Sequence, residues 1–346
     1  MHSKQKRSAK LASSHKDKAT LPVLNDIFYC ISLAVKALAQ DEFSQCFQQK
    51  SPAKVHPEVS VRYGLGVAFR YGILFPFRVI CVILMLIICL CVTGILRVFR
   101  SERLCNKATS LGCRVLLMCT GMHVRYIGTK PHITTPHVFV TNHTTYMDYL
   151  VVSGHKFSHA VIAQHQPGIM PLLLKLVSGS VEFERRVKSN RQQAKEKIKE
   201  AANKGSLLVF PEGTCVNNEY TVMFQKGAFD LNIPVCPAAI KYNKDIADPF
   251  WNTRKQSFSK HFMYLATRWR TEVTVWWMAP TSIERGETPS EFASRVKRKI
   301  SERAGLKNLV WNGYLKHCTN PEEMKRMRLY GGPSEPSLHA TIPGRK

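Results

Sequence analysis

Apolar residues are distributed so that the chain falls into two unlike stretches. From Val79 to Leu96 eighteen consecutive residues, VICVILMLIICLCVTGIL, carry no charge. At about 1.5 Å per residue this run covers roughly 27 Å, close to the hydrocarbon thickness of a bilayer, and it predicts a membrane-embedded helix. A buried helix of a globular domain would show polar residues along one side. Upstream, residues 63–77 (YGLGVAFRYGILFPF) are apolar apart from Arg70, and Gly72, Pro76 and Arg78 predict a break between the two segments. A single span and a pair of helices dipping into one leaflet both fit this pattern. Arg62, Arg70 and Arg78 on one side and Arg97, Arg100 and Arg103 on the other leave orientation unset by charge. Residues 22–47 read as an amphipathic helix with Ile27, Phe28, Ile31, Leu33, Val35 and Leu38 on its apolar side, suited to packing or to a membrane interface.

From about residue 122 the period changes. Strands are predicted at His137–Thr141, His159–Ala163, Val181–Phe183, Ser206–Phe210, Pro234–Ile240 and Glu272–Trp277, with helical stretches between them, notably Lys188–Asn203 closed by Lys204-Gly205. Such alternation predicts an α/β fold with a central, mainly parallel sheet and flanking helices, preceded by the membrane-embedded helical region. The expected organisation is a disordered basic arm (1–20), an amphipathic and membrane-embedded region (21–121), a catalytic domain (122–320) and a flexible tail (321–346).

Charge then narrows the partners. Fifty Lys+Arg against 24 Asp+Glu give a net charge of +26, which calls for an anionic partner such as nucleic acid, a phospholipid surface or a phosphorylated small molecule. The tryptophans Trp269, Trp276 and Trp277 form no base-stacking pattern, and the apolar run also argues against nucleic acid. Eleven cysteines show no zinc-type CxxC pairing and read as reduced thiols facing cytosol or lipid. The formal glycosylation sequon Asn142-His143-Thr144 coincides with the candidate site described next and reads as accidental.

Four motifs carry candidate chemistry. The first is Asn142-His143-Thr-Thr-Tyr-Met-Asp148 after a strand. Five residues of ideal helix place two side chains about 140° apart, so His143 and Asp148 meet only if His143 sits in the turn before a helix and Asp148 in its first turn. Thr144 or Thr145 could cap that helix start. Asp148 would then fix the imidazole tautomer and leave its other nitrogen as a base. Taken alone, the pair is better read as a loop histidine beside an aspartate that favours the helix dipole. The second motif, Gly179 to Arg186, ends in paired guanidinium groups suited to phosphate or to a solvated basic edge. The third, Phe210-Pro-Glu-Gly-Thr214, holds a carboxylate at a strand end, followed by Lys226 near a further helix start. The fourth is the proline-bracketed strand Ile233–Ile240, fit for a core or for the wall of a pocket.

In this order and spacing the motifs resemble the glycerophosphate and lysophospholipid acyltransferase family: Asn-His-x4-Asp, Gly-x-x-Phe-x-Glu-Arg (Gly179 to Arg185), Phe-Pro-Glu-Gly-Thr and a Pro-rich strand (Pro234, Pro237). Phe210 to Cys215, Phe224-Gln-Lys-Gly227, Ala239 to Asn243 and Phe250-Trp-Asn252 are similar to microsomal glycerol-3-phosphate acyltransferases. The resemblance implies His143 as general base, Asp148 as its orienting partner, and Arg185 on the acceptor phosphate, with Glu212, Gly213, Asn142 and Lys226 completing the acceptor site. It implies acyl-CoA as co-substrate, glycerol-3-phosphate as acceptor and no metal or bound cofactor. Membrane lipids are the expected environment, at the cytosolic face of the endoplasmic reticulum. Glu182 departs from the second block, where an aromatic or apolar residue is usual. A lysophospholipid acceptor is the neighbouring reading, and a non-catalytic lipid-binding protein is the reading from another class.

Overall fold

The computed structural model describes residues 27–31, 42–49, 61–164, 181–183, 191–204, 206–313 and 316. It forms two units, Met1–Gln48 and Gln49–Lys346. In the first, helical residues 27–31 expose Ile27, Phe28, Tyr29 and Ile31, and a single turn spans Glu42–Gln45. The rest of the amphipathic helix expected over 22–47, the basic arm 1–20 and the tail 321–346 lie outside the described residues.

The second unit opens with α1 (Val61–Phe69), a π-turn (Arg70–Leu74) and α2 (Phe75–Val98), continuous over 38 residues. The break expected at Gly72–Arg78 is therefore corrected. The Phe75 N–H reaches back to the Arg70 carbonyl, and this wider bonding accommodates the ring of Pro76, which would clash in an unrelieved helix. Arg78 serves as an anchor. It is buried, its Nη1 donates to the carbonyls of Ala266 and Arg268, and its Nη2 donates to that of Trp269 at 2.9 Å.

A short turn leads from α2 into α3 (Glu102–Cys119), and the two helices pack together where Gly112 lies against Cys89. Only 11 % of the most apolar window of the long helix is buried, which separates it from a core helix of a soluble domain. Ile80, Ile83, Leu84, Ile87, Ile88, Val92 and Ile95 all face outward, and Leu104, Leu111 and Met118 do so on α3. A contiguous apolar surface of this kind is unfavourable in water and calls for lipid. By length and composition, this helix is a candidate membrane span.

The inner half of α3 plugs into the catalytic unit through Cys113, Leu116 and Leu117. Then follow β1 (Met122–Ile127), β2 (Val138–Thr141), α4 (Met147–Ser153), β3 (Ala160–Gln164), β4 (Val181–Phe183), α5 (Arg191–Lys204), β5 (Leu207–Val209) and β6 (Tyr220–Thr221). The chain continues through β7 (Val235–Asn243), α6 (Phe258–Ala266), β8 (Thr271–Trp277), α7 (Pro289–Ala304) and β9 (Lys307–Asn308). Seven strands form one sheet in the order β1-β8-β7-β2-β5-β3-β4, parallel throughout except where β7 meets β8. All six predicted strands are present within a few residues of their expected ends.

Strands β1, β6 and β9 and helix α7 were not anticipated. In β1, His123 and Arg125 are both exposed, so this edge strand lacks an apolar run. Helix α7 carries its own signals, unread above: Thr288 and Glu291 form a reciprocal capping box, Pro289 opens the helix, and Gly305 closes it at φ +60°. Its buried Phe292, Ala293, Val296 and Ile300 cover one face of the sheet against Val140, Val235 and Ala239.

Candidate active site

Strand β2 is buried at every position, and its C-terminal end delivers Asn142 and His143 into a loop before α4. Ligands of α/β sheets bind beyond the C-terminal ends of parallel strands. Here β2, β5 and β7 all end toward the same loops.

The geometry required of His143 and Asp148 is present. Asp148 lies in the first turn of α4, and its Oδ2 is 2.9 Å from His143 Nδ1. The cap takes another form than expected, since no threonine hydroxyl closes the helix. Instead Asp148 Oδ2 accepts from the backbone N–H groups of Thr144 at 2.6 Å and Thr145 at 3.0 Å. Its Oδ1 accepts from the Tyr242 hydroxyl at 2.6 Å. With Nδ1 facing a carboxylate oxygen, Nδ1 carries the proton, and in the neutral ring Nε2 holds the lone pair. Phe210 stacks on the imidazole at 4.2 Å between ring centres.

Contacts from two loops hold this turn in place. Val216 N–H donates to the His143 carbonyl at 2.8 Å, and Trp251 N–H donates to that of Thr144 at 3.1 Å. Glu212 is buried, and its two oxygens accept from His143 N–H at 2.7 Å and Val222 N–H at 3.1 Å. Burial pushes the Glu212 carboxyl up to about 8, against the two N–H donors that favour its charged form. The neighbouring Gly213 has φ +66°, a left-handed conformation that lets the chain turn back so that its N–H meets the Phe210 carbonyl.

Asn142 is tied to the sheet. Its Nδ2 donates to the Ile240 carbonyl and its Oδ1 accepts from the Ile240 N–H, both at 2.9 Å. The side chain therefore joins the site loop to β7, and at 2 % exposure it offers no amide to a glycosylating enzyme. Lys226 is exposed and opens a three-residue 3₁₀ turn, which lacks the row of N–H groups expected at a full helix start. Arg185 lies outside the described residues, and Glu182 is described only as part of the backbone of β4.

The structure adds residues that had not been singled out. Asn218 bridges Thr144 Oγ1 (3.0 Å), the Ile240 carbonyl (3.0 Å) and Tyr242 N–H (2.7 Å). Cys215 brings its Sγ to 3.4 Å from His143 Nε2, the nitrogen left open by Asp148. Burial works against charging the imidazole. Cys215 and the hydrogen bonds to Asp148 and Cys215 outweigh it and push His143 up to about 10. The buried polar pair Asn218–Tyr242 was marked only by its place beside the third and fourth motifs. A neutral imidazole so oriented can take a proton from a hydroxyl group and return it to a leaving group. Among the described residues, no group of three His, Cys, Asp or Glu side chains could hold a metal ion.

Comparison with known proteins agrees with this chemistry. Residues 123–241, which include the His-x4-Asp turn, Glu212 and most of β7, match the Acyltransferase family model. Glycerol-3-phosphate acyltransferase 3 of Rattus norvegicus is 29% identical over 344 residues, 91% of this chain and 75% of that protein. The human proteins named glycerol-3-phosphate acyltransferase 3 and 4 are each 29% identical, covering 85% of this chain and 73% and 69% of their own lengths. The crystal structure of the 1-acyl-sn-glycerophosphate acyltransferase PlsC from Thermotoga maritima shares the fold, with a TM-score of 0.50 at 17% identity over 71% of this chain and 95% of that one. Motif order, strand-end geometry and sequence similarity converge: residues 123–241 form an acyltransferase domain, and the similarity to glycerol-3-phosphate acyltransferases supports assignment to the glycerophosphate and lysophospholipid acyltransferase family.

Proposed function

We propose that this acyltransferase moves a long-chain acyl group from acyl-CoA to the sn-1 hydroxyl of glycerol-3-phosphate, giving lysophosphatidate, at the cytosolic face of the endoplasmic reticulum membrane. The observation that carries the mechanism is the 2.9 Å contact from His143 Nδ1 to an Asp148 carboxylate that four donors hold in place. Nε2 removes the hydroxyl proton as the oxygen attacks the thioester carbonyl. The carbon–sulfur bond then breaks, and the imidazolium returns the proton to the departing CoA thiolate.

Glycerol-3-phosphate as acceptor is supported by the names of the similar proteins and by the blocks around Ala239–Asn243 and Phe250–Asn252. In this reading Arg185 binds the acceptor phosphate, Glu212 and Gly213 shape the acceptor loop, and exposed Lys226 adds positive charge at its rim. Basic side chains near an anionic membrane each contribute about 1 kcal/mol, which gives the excess of cations a use.

The test is an assay of the purified full-length chain in lipid vesicles with labelled acyl-CoA, offering glycerol-3-phosphate and lysophosphatidate separately. Turnover with the first is expected. Turnover with lysophosphatidate alone would move the chain to the neighbouring acceptor class.

A further inference from the structure

After α7 the chain returns to the active-site loops. Lys307 N–H donates to the Glu219 carbonyl at 2.8 Å and Leu309 N–H to that of Thr221 at 2.9 Å. Met223 N–H in turn donates to the Trp311 carbonyl at 2.8 Å, and Gln225 Nε2 to Asn312 Oδ1 at 3.1 Å. The segment then closes on the Glu212–Thr214 turn at Gly313. A Cβ added there would lie 2.8 Å from Thr214 Cγ2 and 2.9 Å from the Glu212 carbonyl oxygen, so only glycine allows this approach.

Three residues later the segment places Lys316, at 3 % exposure, with its Nζ 3.3 Å from the Cys215 carbonyl and 3.5 Å from Thr214 Oγ1. Cys215 is also the residue whose Sγ meets His143 Nε2. A cation and the open nitrogen of the base thus lie on two sides of one residue. A second cation flanks the first, since Arg254 Nη1 donates to the Lys316 carbonyl at 2.6 Å.

This arrangement matches the demand of the substrate. A phosphorylated alcohol with its hydroxyl at His143 Nε2 carries its phosphate only a three-carbon skeleton away and needs a cation there. A phosphate beside this ammonium would gain a charge-assisted contact in a water-poor setting. Burial also pulls Lys316 below the ordinary lysine range, with Arg254 acting in the same direction and Cys215 opposing.

We infer that Lys316 is a phosphate-binding residue of the acyl-acceptor subsite, with Arg254 beside it. The inference rests on the acceptor being a phosphorylated alcohol, as proposed above.

The experiment compares wild-type protein, Lys316→Ala and Lys316→Arg in vesicles, measuring KM separately for glycerol-3-phosphate and acyl-CoA. Thermal midpoints and competition by inorganic phosphate accompany each. Lys316→Ala is expected to raise the acceptor KM about 10- to 100-fold, the size of one lost charged hydrogen bond, and to leave the acyl-CoA KM unchanged. Lys316→Arg should restore part of the loss, and inorganic phosphate should compete with the acceptor less well in Lys316→Ala than in wild type. Unchanged acceptor KM with a lower thermal midpoint, or a change confined to acyl-CoA, would overturn the assignment. If Lys316→Ala fails to fold, Lys316→Gln takes its place: a raised acceptor KM with weaker phosphate competition retains the assignment, and both unchanged from wild type reject it. If wild type turns over only lysophosphatidate, the glycerol-3-phosphate reading fails, and the same KM comparison with lysophosphatidate judges Lys316 separately.

Discussion

The α2–α3 pair and the loops at the C-terminal end of the sheet invert each other's chemistry. Along α2, apolar side chains face outward and a single arginine, Arg78, is buried near the start, where three carbonyls receive it. At the sheet end, polar side chains are buried in quantity: Asn142, Thr144, Asp148, Glu212, Asn218 and the Tyr242 hydroxyl form one connected network. The first region can be understood from apolar area alone, because its surroundings supply the stabilisation. In the second, every group depends on one named partner, so single-atom changes are costly there.

The largest test of this contrast replaces outward apolar residues. Leu84→Lys with Ile88→Lys should cost about 5–7 kcal/mol of membrane partitioning, at roughly 2.5–3.5 kcal/mol per charge at a bilayer centre. Flotation on a density gradient should show the doubly substituted protein leaving the vesicle fraction, and retention in it would mean that α2 is not the membrane segment. Next, His143→Ala should lower kcat by about 10³-fold or more, within the usual range for loss of a general base, while acyl-CoA still binds. A substantial residual rate in steady-state assays would remove the proposed role.

Asn142→Leu is expected to be smaller but diagnostic of the network. The Ile240 carbonyl keeps Asn218 as a partner, whereas its N–H is left buried without one, a loss of about 1–3 kcal/mol measurable by chemical denaturation. A change within experimental error would show that the loop is held without it.

The smallest effect concerns pH. A base acts when neutral, so kcat/KM should rise with pH toward the His143 value of about 10. Cys215→Ala removes one of the influences that raise that value and should move the rising limb to lower pH. The same raised pKa gives stability that is full below the ordinary histidine range and fades as pH rises toward about 10. An unmoved limb in Cys215→Ala would exclude the thiol as an influence on the base.

The apolar run of α2, the six predicted strands and the placement of His143 before a helix with Asp148 in its first turn were legible because each rests on local pattern. Two local expectations gave way to other local contacts. The helix break expected near Pro76 was relieved by the π-turn, and the expected threonine cap gave way to the Asp148 carboxylate. The resemblance put Asn142 in the acceptor site; its side-chain partner, Ile240, lies 98 residues away and could not be read locally.

By itself, then, the sequence determined the apolar helix, the α/β alternation and the order of the motifs, since hydrophobic period and turn chemistry act over a few residues. Only the tertiary structure decided what surrounds the base. Tyr242 on the far oxygen of Asp148, Cys215 at Nε2 and Lys316 behind Cys215 come from segments distant in sequence from His143. Their meeting follows from strand order and loop return, and a buried polar group takes its partner from whatever the fold brings within hydrogen-bond reach.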